Sequence, residues 1–145
     1  MARKKKKIIY NIDYWIVIPT RLSREIFKDN QYIDVFDKEN IKYYLDNTNT
    51  NIKSINALNN GKALLINASI YPDNSISDIV FNIKRLAFKY LFKLDNIKDK
   101  LNGEKSIWSQ DYVVSFNKED AIMSYYKLIG GDNNDSNSWF FWRNK

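Results

Sequence analysis

Ile52-Lys53-Ser54-Ile55-Asn56-Ala57-Leu58-Asn59-Asn60-Gly61-Lys62-Ala63-Leu64-Leu65-Ile66-Asn67-Ala68-Ser69-Ile70 decides how this chain folds. Residues 52–58 alternate apolar and polar, the pattern of a strand with one face buried. Asn59-Asn60-Gly61 is a hairpin turn signal, because Asn and Gly tolerate the left-handed backbone that tight turns need. Lys62 to Ile70 is the partner strand, centred on Leu64-Leu65-Ile66, and Tyr71-Pro72-Asp73-Asn74 breaks it.

Upstream, Ile8 to Ile18 reads as a first strand rich in β-branched and aromatic residues, ended by Pro19. Thr20-Arg21-Leu22-Ser23-Arg24 is a polar connection. Val35 to Leu45 has helical spacing, with Ile41, Tyr44 and Leu45 as its apolar stripe, Asp37 as N-cap and Asn47-Thr48-Asn49-Thr50 as its end. Downstream, Ser75 to Leu94 is the clearest helix. Ile76, Ile79, Val80, Ile83, Ala87, Tyr90, Leu91 and Leu94 recur at three and four, and Ser75 with Asp78 approximates a capping box. Asn82, Arg85, Lys89 and Lys93 form the opposite, polar stripe. A charged connection over residues 95–105 leads to a fourth strand, Ser109 to Phe116. Asn117 caps a last helix whose Ile122, Tyr125 and Leu128 face inward, and Gly130-Gly131 stops it.

The order is β-α-β-β-α-β-α. It predicts an α+β fold of the ferredoxin-like split βαβ kind: a four-stranded antiparallel sheet with helices on one face and an added C-terminal helix. A basic arm (1–7) precedes the domain (8–131). A polar spacer and the aromatic tail Trp139-Phe140-Phe141-Trp142 follow it (132–145).

The chain has 145 residues, a net charge of +6 and no cysteine or histidine. Disulfides, thiolate zinc sites, cysteine nucleophiles and Ser-His pairs are excluded. Any metal would need oxygen ligands alone. The basic balance makes anionic partners plausible, nucleic acid first. Much of it sits in Arg3, Lys4, Lys5, Lys6 and Lys7, and the remainder is close to neutral. Tyr14-Trp15-Ile16-Val17-Ile18 is too short to span a bilayer, and no secretory signal is visible, so a cytoplasmic protein without membrane contact is expected.

Several segments in this order resemble the short HUH transposases of bacterial insertion sequences, which carry a single catalytic tyrosine. Residues 14–27 are similar to that family's first strand and basic turn. Leu64-Leu65-Ile66, the Pro72 loop and the long helix through Lys84-Arg85 are similar to the segment after its metal motif. Ile107 to Ser115 resembles its Trp-Ser-x-x-Tyr strand, and Ala121-Ile122-Met123-Ser124-Tyr125-Tyr126 its nucleophile helix. The resemblance spans about Tyr14 to Ile129.

The departures from that family carry the functional expectation. Where it has two histidines flanking one hydrophobic residue, this chain has Gly61-Lys62-Ala63. Strand alternation would place Gly61 and Ala63 on one face, and neither binds a metal. The family's glutamine ligand, one turn after its tyrosine, is replaced by Ile129. Tyr125, with Tyr126 beside it, matches the nucleophile, but tyrosine attack on a phosphodiester needs the phosphate charge neutralised. No catalytic residue and no cofactor are therefore expected; Tyr125 and Tyr126 would be vestigial.

The expected function is a catalytically inactive, transposase-derived protein that binds structured or single-stranded DNA or RNA. Candidate phosphate contacts are the arm Arg3 to Lys7, Arg21, Arg24, Lys62, Lys84, Arg85 and Lys89. The Lys62 ammonium would replace the lost cation, and Tyr10, Tyr14 and Trp15 are nearby aromatics for base stacking. Each has an ordinary alternative as solvated helix face or core aromatic. The resemblance implies a homodimer. Two other readings stand beside it: a structural subunit of a larger nucleoprotein assembly such as a ribosome, anchored by its arm and aromatic tail, and a residual tyrosine nuclease.

Overall fold

The computed structural model describes residues 12–38, 50–71, 75–94, 97, 101 and 106–130. The arm Arg3 to Lys7, Tyr10, the Pro72 loop and the tail Trp139 to Trp142 lie outside the described residues, as does the 39–45 part of the first helix expectation.

The strands among the described residues are β1 (Ile12–Pro19), β2 (Thr50–Leu58), β3 (Ala63–Ile70) and β4 (Val113–Ser115). The longer helices among them are α1 (Asn30–Lys38), α2 (Ile76–Leu91) and α3 (Lys118–Gly130). The sheet order is β2-β3-β1-β4, and every neighbouring pair is antiparallel. Each helical crossover therefore returns the chain one strand over, leaving a gap that another strand fills. This is the split βαβ arrangement read from the sequence.

The quoted hairpin closes between Leu58 and Ala63. Asn59, Asn60 and Gly61 all take positive φ (54°, 61° and 86°), which explains why Asn and Gly stand there. Because Gly61 lies in this turn, strand alternation does not extend back to it. The expected common face for Gly61 and Ala63 is thus corrected.

Alternate strand residues divide between two cores. Ile16 and Ile18 of β1 and Leu64, Ile66, Ala68 and Ile70 of β3 meet Tyr32, Val35 and Phe36 of α1 and Ile79, Val80, Ile83 and Leu91 of α2. On the other face, Val17, Ala63 and Leu65 pack against Ala121 and Tyr125 of α3. The added C-terminal helix thus covers the sheet face opposite α1 and α2.

Some element boundaries differ from the sequence expectation. α1 begins at Asn30, so Asp37 lies inside it and is no N-cap. The start is set by Asp29, whose carboxylate accepts from the Gln31 backbone N–H at 3.1 Å. Tyr32, Val35 and Phe36, spaced at three and four, are its buried stripe. α2 ends at Leu91 rather than Leu94. β4 has three residues rather than eight; ahead of it, Trp108 makes an isolated antiparallel bridge to Thr20. Ser75 caps α2 by accepting from Asp78 N–H at 3.4 Å, and Asn117 caps α3 by accepting from Asp120 N–H at 3.1 Å. No helix among the described residues is long and apolar enough to cross a membrane.

Candidate nucleic-acid interface

The chain leaves β1 at Pro19, beside the β2–β3 hairpin turn. Thr20, almost fully buried, ties this end of the sheet together. Its backbone N–H donates to Lys62 O at 2.9 Å, and its hydroxyl donates in a shared bond to Lys62 O at 2.9 Å and Arg24 O at 2.8 Å. Arg21 N–H donates to Ile107 O at 2.8 Å. One buried threonine thus ties the backbones of two expected phosphate-contact residues, Arg24 and Lys62, at the sheet end where its chain neighbour Arg21 also stands. Arg21 is exposed; Arg24 and Lys62 are half-buried. The Arg24 Nε has no hydrogen-bond partner among the described residues. Nearby, Glu25 is balanced by Lys28 at 3.5 Å and accepts from the Asn60 amide at 3.3 Å.

Gly61 closes against this loop. Its carbonyl accepts from Phe27 N–H at 3.0 Å. A Cβ at residue 61 would fall on Lys28 N and within 2.6 Å of the Phe27 carbonyl carbon. No side chain of any kind fits there, histidine included. Ala63, the second position that the resemblance aligns with a metal ligand, is fully buried against α3.

Tyr125 lies under the turn from the other face. It is fully buried, and its hydroxyl accepts from the Asn59 side-chain amide at 2.9 Å. Burial pushes its phenol pKa up, opposed by the Asn59 hydrogen bond. The hydroxyl is thus shielded from solvent, held by an amide, and harder to ionise than a free phenol. Tyr126 is exposed and meets the Tyr125 ring edge-on at 5.1 Å.

The α2 cations are placed differently. Lys84 is engaged in the fold: its ammonium donates to Ser109 O at 2.9 Å, while Trp108 Nε1 donates to Lys84 O at 3.1 Å. Burial lowers the Lys84 pKa, and Asp111 partly restores it. Sequence reasoning missed this reciprocal clamp, because a lysine on an amphipathic helix reads as solvated. Arg85 and Lys89 are exposed. Lys89 and Lys93 stand over the Tyr90 ring at 5.4 and 4.6 Å.

Of the stacking candidates, Tyr14 pairs with exposed Phe116 at 5.3 Å, and Lys118 sits 5.5 Å over the Trp15 ring. The part of this sheet face beyond α3 is polar. Asp13 accepts from the Ser69 hydroxyl and from Lys53 at 3.0 Å, and these bonds hold its carboxyl below the ordinary range.

Comparison with solved structures places this arrangement. A Deinococcus radiodurans R1 protein, whose crystal structure is described as that of a "putative transposase", superimposes with a TM-score of 0.68 over 83% of this chain and 90% of that one, at 13% identity. The fold is transposase-like. No family model matches the sequence, and no curated protein matches it. At such low identity the transposase-like likeness concerns the path of the chain alone. The residues of the sheet end must be read on their own chemistry.

Proposed function

We propose that this protein binds nucleic acid through the sheet end formed by the 20–28 loop and the hairpin turn, without cleaving it. The observation that carries the reading is the buried Thr20, which ties Arg24 to Lys62 beside its chain neighbour Arg21 on a transposase-like fold. Guanidinium and ammonium side chains carried on one tied stretch of backbone favour phosphates, by direct pairing and by counterion release. Catalytic inactivity is supported by the closed position at Gly61 and by the burial of Tyr125. Lys62 would supply, as a fixed cation, part of the charge neutralisation that a metal gives in active relatives of the resembling family. The basic arm, outside the described residues, would add to the same surface, and a second copy of the chain is a further proposed partner.

Fluorescence anisotropy with labelled DNA and RNA, as hairpins, single strands and plain duplexes, tests this. Steeply salt-dependent binding is expected, with no covalent adduct on a nicked suicide substrate in magnesium or manganese. Absence of binding at low salt overturns the reading, and a tyrosine-linked adduct overturns its inactive half. A structural subunit is favoured by one observation: Phe81 and Phe88 are exposed on α2, seven residues apart. Native co-purification of fixed protein partners that survive nuclease treatment would support that reading instead.

A further inference from the structure

The loop that joins Arg21 to Arg24 presents an apolar side chain in a backbone conformation that apolar residues avoid. Leu22 takes φ 58° and ψ 26°, and Ser23 follows at φ 54°. Left-handed geometry is costly for a branched side chain, and Gly or Asn ordinarily supplies it. Leu22 is also 64% exposed, so the fold recovers little burial for it. Two unfavourable features thus coincide on one residue that the core does not use. The loop is nevertheless pinned. Ser23 N–H and Arg24 N–H turn back to Thr20 O and Arg21 O at 3.4 Å, Arg21 N–H is held by Ile107 O, and the Thr20 hydroxyl holds Arg24 O. Backbone strain held in place by surrounding bonds points from the geometry toward a use.

The surroundings specify what that use is. Arg21 and Arg24 flank Leu22 in the chain, and Lys62 is tied to the same threonine. Glu25, the acidic residue of the loop, is already balanced by Lys28. Arg24 is half-buried, so its charge acts in a medium less screened than water. A rigid apolar tip between cations complements an apolar base face bordered by phosphates.

We propose that Leu22 is a wedge that stacks on an open base step, at a helix end or stem–loop junction, while Arg21 and Arg24 hold the phosphates on either side. Apolar side chains inserted at base steps are a known way for proteins to open or cap a stack. This inference rests on the nucleic-acid reading proposed above and adds which residue touches bases and which nucleic-acid feature is chosen.

The test uses the full chain and a DNA hairpin, with its RNA counterpart, carrying 2-aminopurine at the loop-closing step. Wild type and Leu22→Met should raise the 2-aminopurine fluorescence. Leu22→Asn keeps the left-handed backbone but removes the apolar tip. It should abolish the rise and weaken hairpin binding at least about fivefold, with the salt slope unchanged. Its melting temperature should equal or exceed that of wild type, which separates the effect from misfolding. If Leu22→Asn matches wild type in signal and affinity while binding stays salt-dependent, the wedge is overturned and the nucleic-acid reading stands. If wild type binds no probe, both fall together.

Discussion

Gly61 shows how one residue can close a site. Its positive φ and the backbone of Phe27 and Lys28 leave no room for a Cβ. Gly61→Ala should therefore destabilise the protein by about 2 kcal/mol or more, read as a lower urea midpoint. Gly61→His should do at least as much damage and should not create metal binding. That Gly61 offers no metal ligand was legible in the sequence, since glycine has no side chain to coordinate one. The sequence did not show that there is no space for one, because that depends on a loop more than thirty residues upstream. Tyr125 has a comparable lesson in its titration. Its folded pKa is raised, so its contribution to stability is complete below the unfolded value near 10 and is lost as pH rises through the folded value. Lys84, whose folded pKa is lowered, acts in the opposite sense over the same alkaline range. Tyr125→Phe should flatten the alkaline fall in urea midpoint, and at neutral pH should cost about 1 kcal/mol through the abandoned Asn59 amide.

Elements were legible in proportion to how local their signals are. The hairpin turn and α2 were readable because Asn59-Asn60-Gly61 and the three-and-four spacing from Ile76 to Leu91 act within a few residues. The start of α1 is set too late in the sequence because Asp37 reads as its cap, while the true start depends on Asp29. β4 was overdrawn because residues before it are organised by distant partners: Trp108 stacks on Phe27 at 5.6 Å, bridges to Thr20 and donates to Lys84 O. Of the proposed phosphate contacts, Arg21 and Arg24 are neighbours in sequence, but Lys62 joins them only in the fold, where the Thr20 hydroxyl bonds both Arg24 O and Lys62 O. The α2–Trp108 clamp can be checked directly. Lys84→Ala should lower stability by about 1 kcal/mol in urea unfolding, while leaving the salt slope of nucleic-acid binding unchanged, because its ammonium is already committed to Ser109 O.

Across the whole molecule, the net charge of +6 understates how unevenly cations are used. Lys53 pairs with Asp13 at one end of β1, and Lys28 pairs with Glu25 near the other, where Arg21, Arg24 and Lys62 also stand. Arg21→Ala and Arg24→Ala should each reduce the slope of log affinity against log salt by about 1, measured by anisotropy from low to physiological salt; unchanged slopes would place the phosphates elsewhere.

The strand order also governs how the chain is made. β1 emerges from the ribosome first yet lies inside the sheet, between β3 and β4. Its pairing must wait for the hairpin, and its second edge stays open until Val113–Ser115 is synthesised. The apolar run Ile16-Val17-Ile18 is therefore an unsatisfied edge for most of translation, a contact pattern that slows folding and invites intermolecular pairing. Shielding that nascent edge falls to the cell, and chains interrupted before β4 should collect in the insoluble fraction.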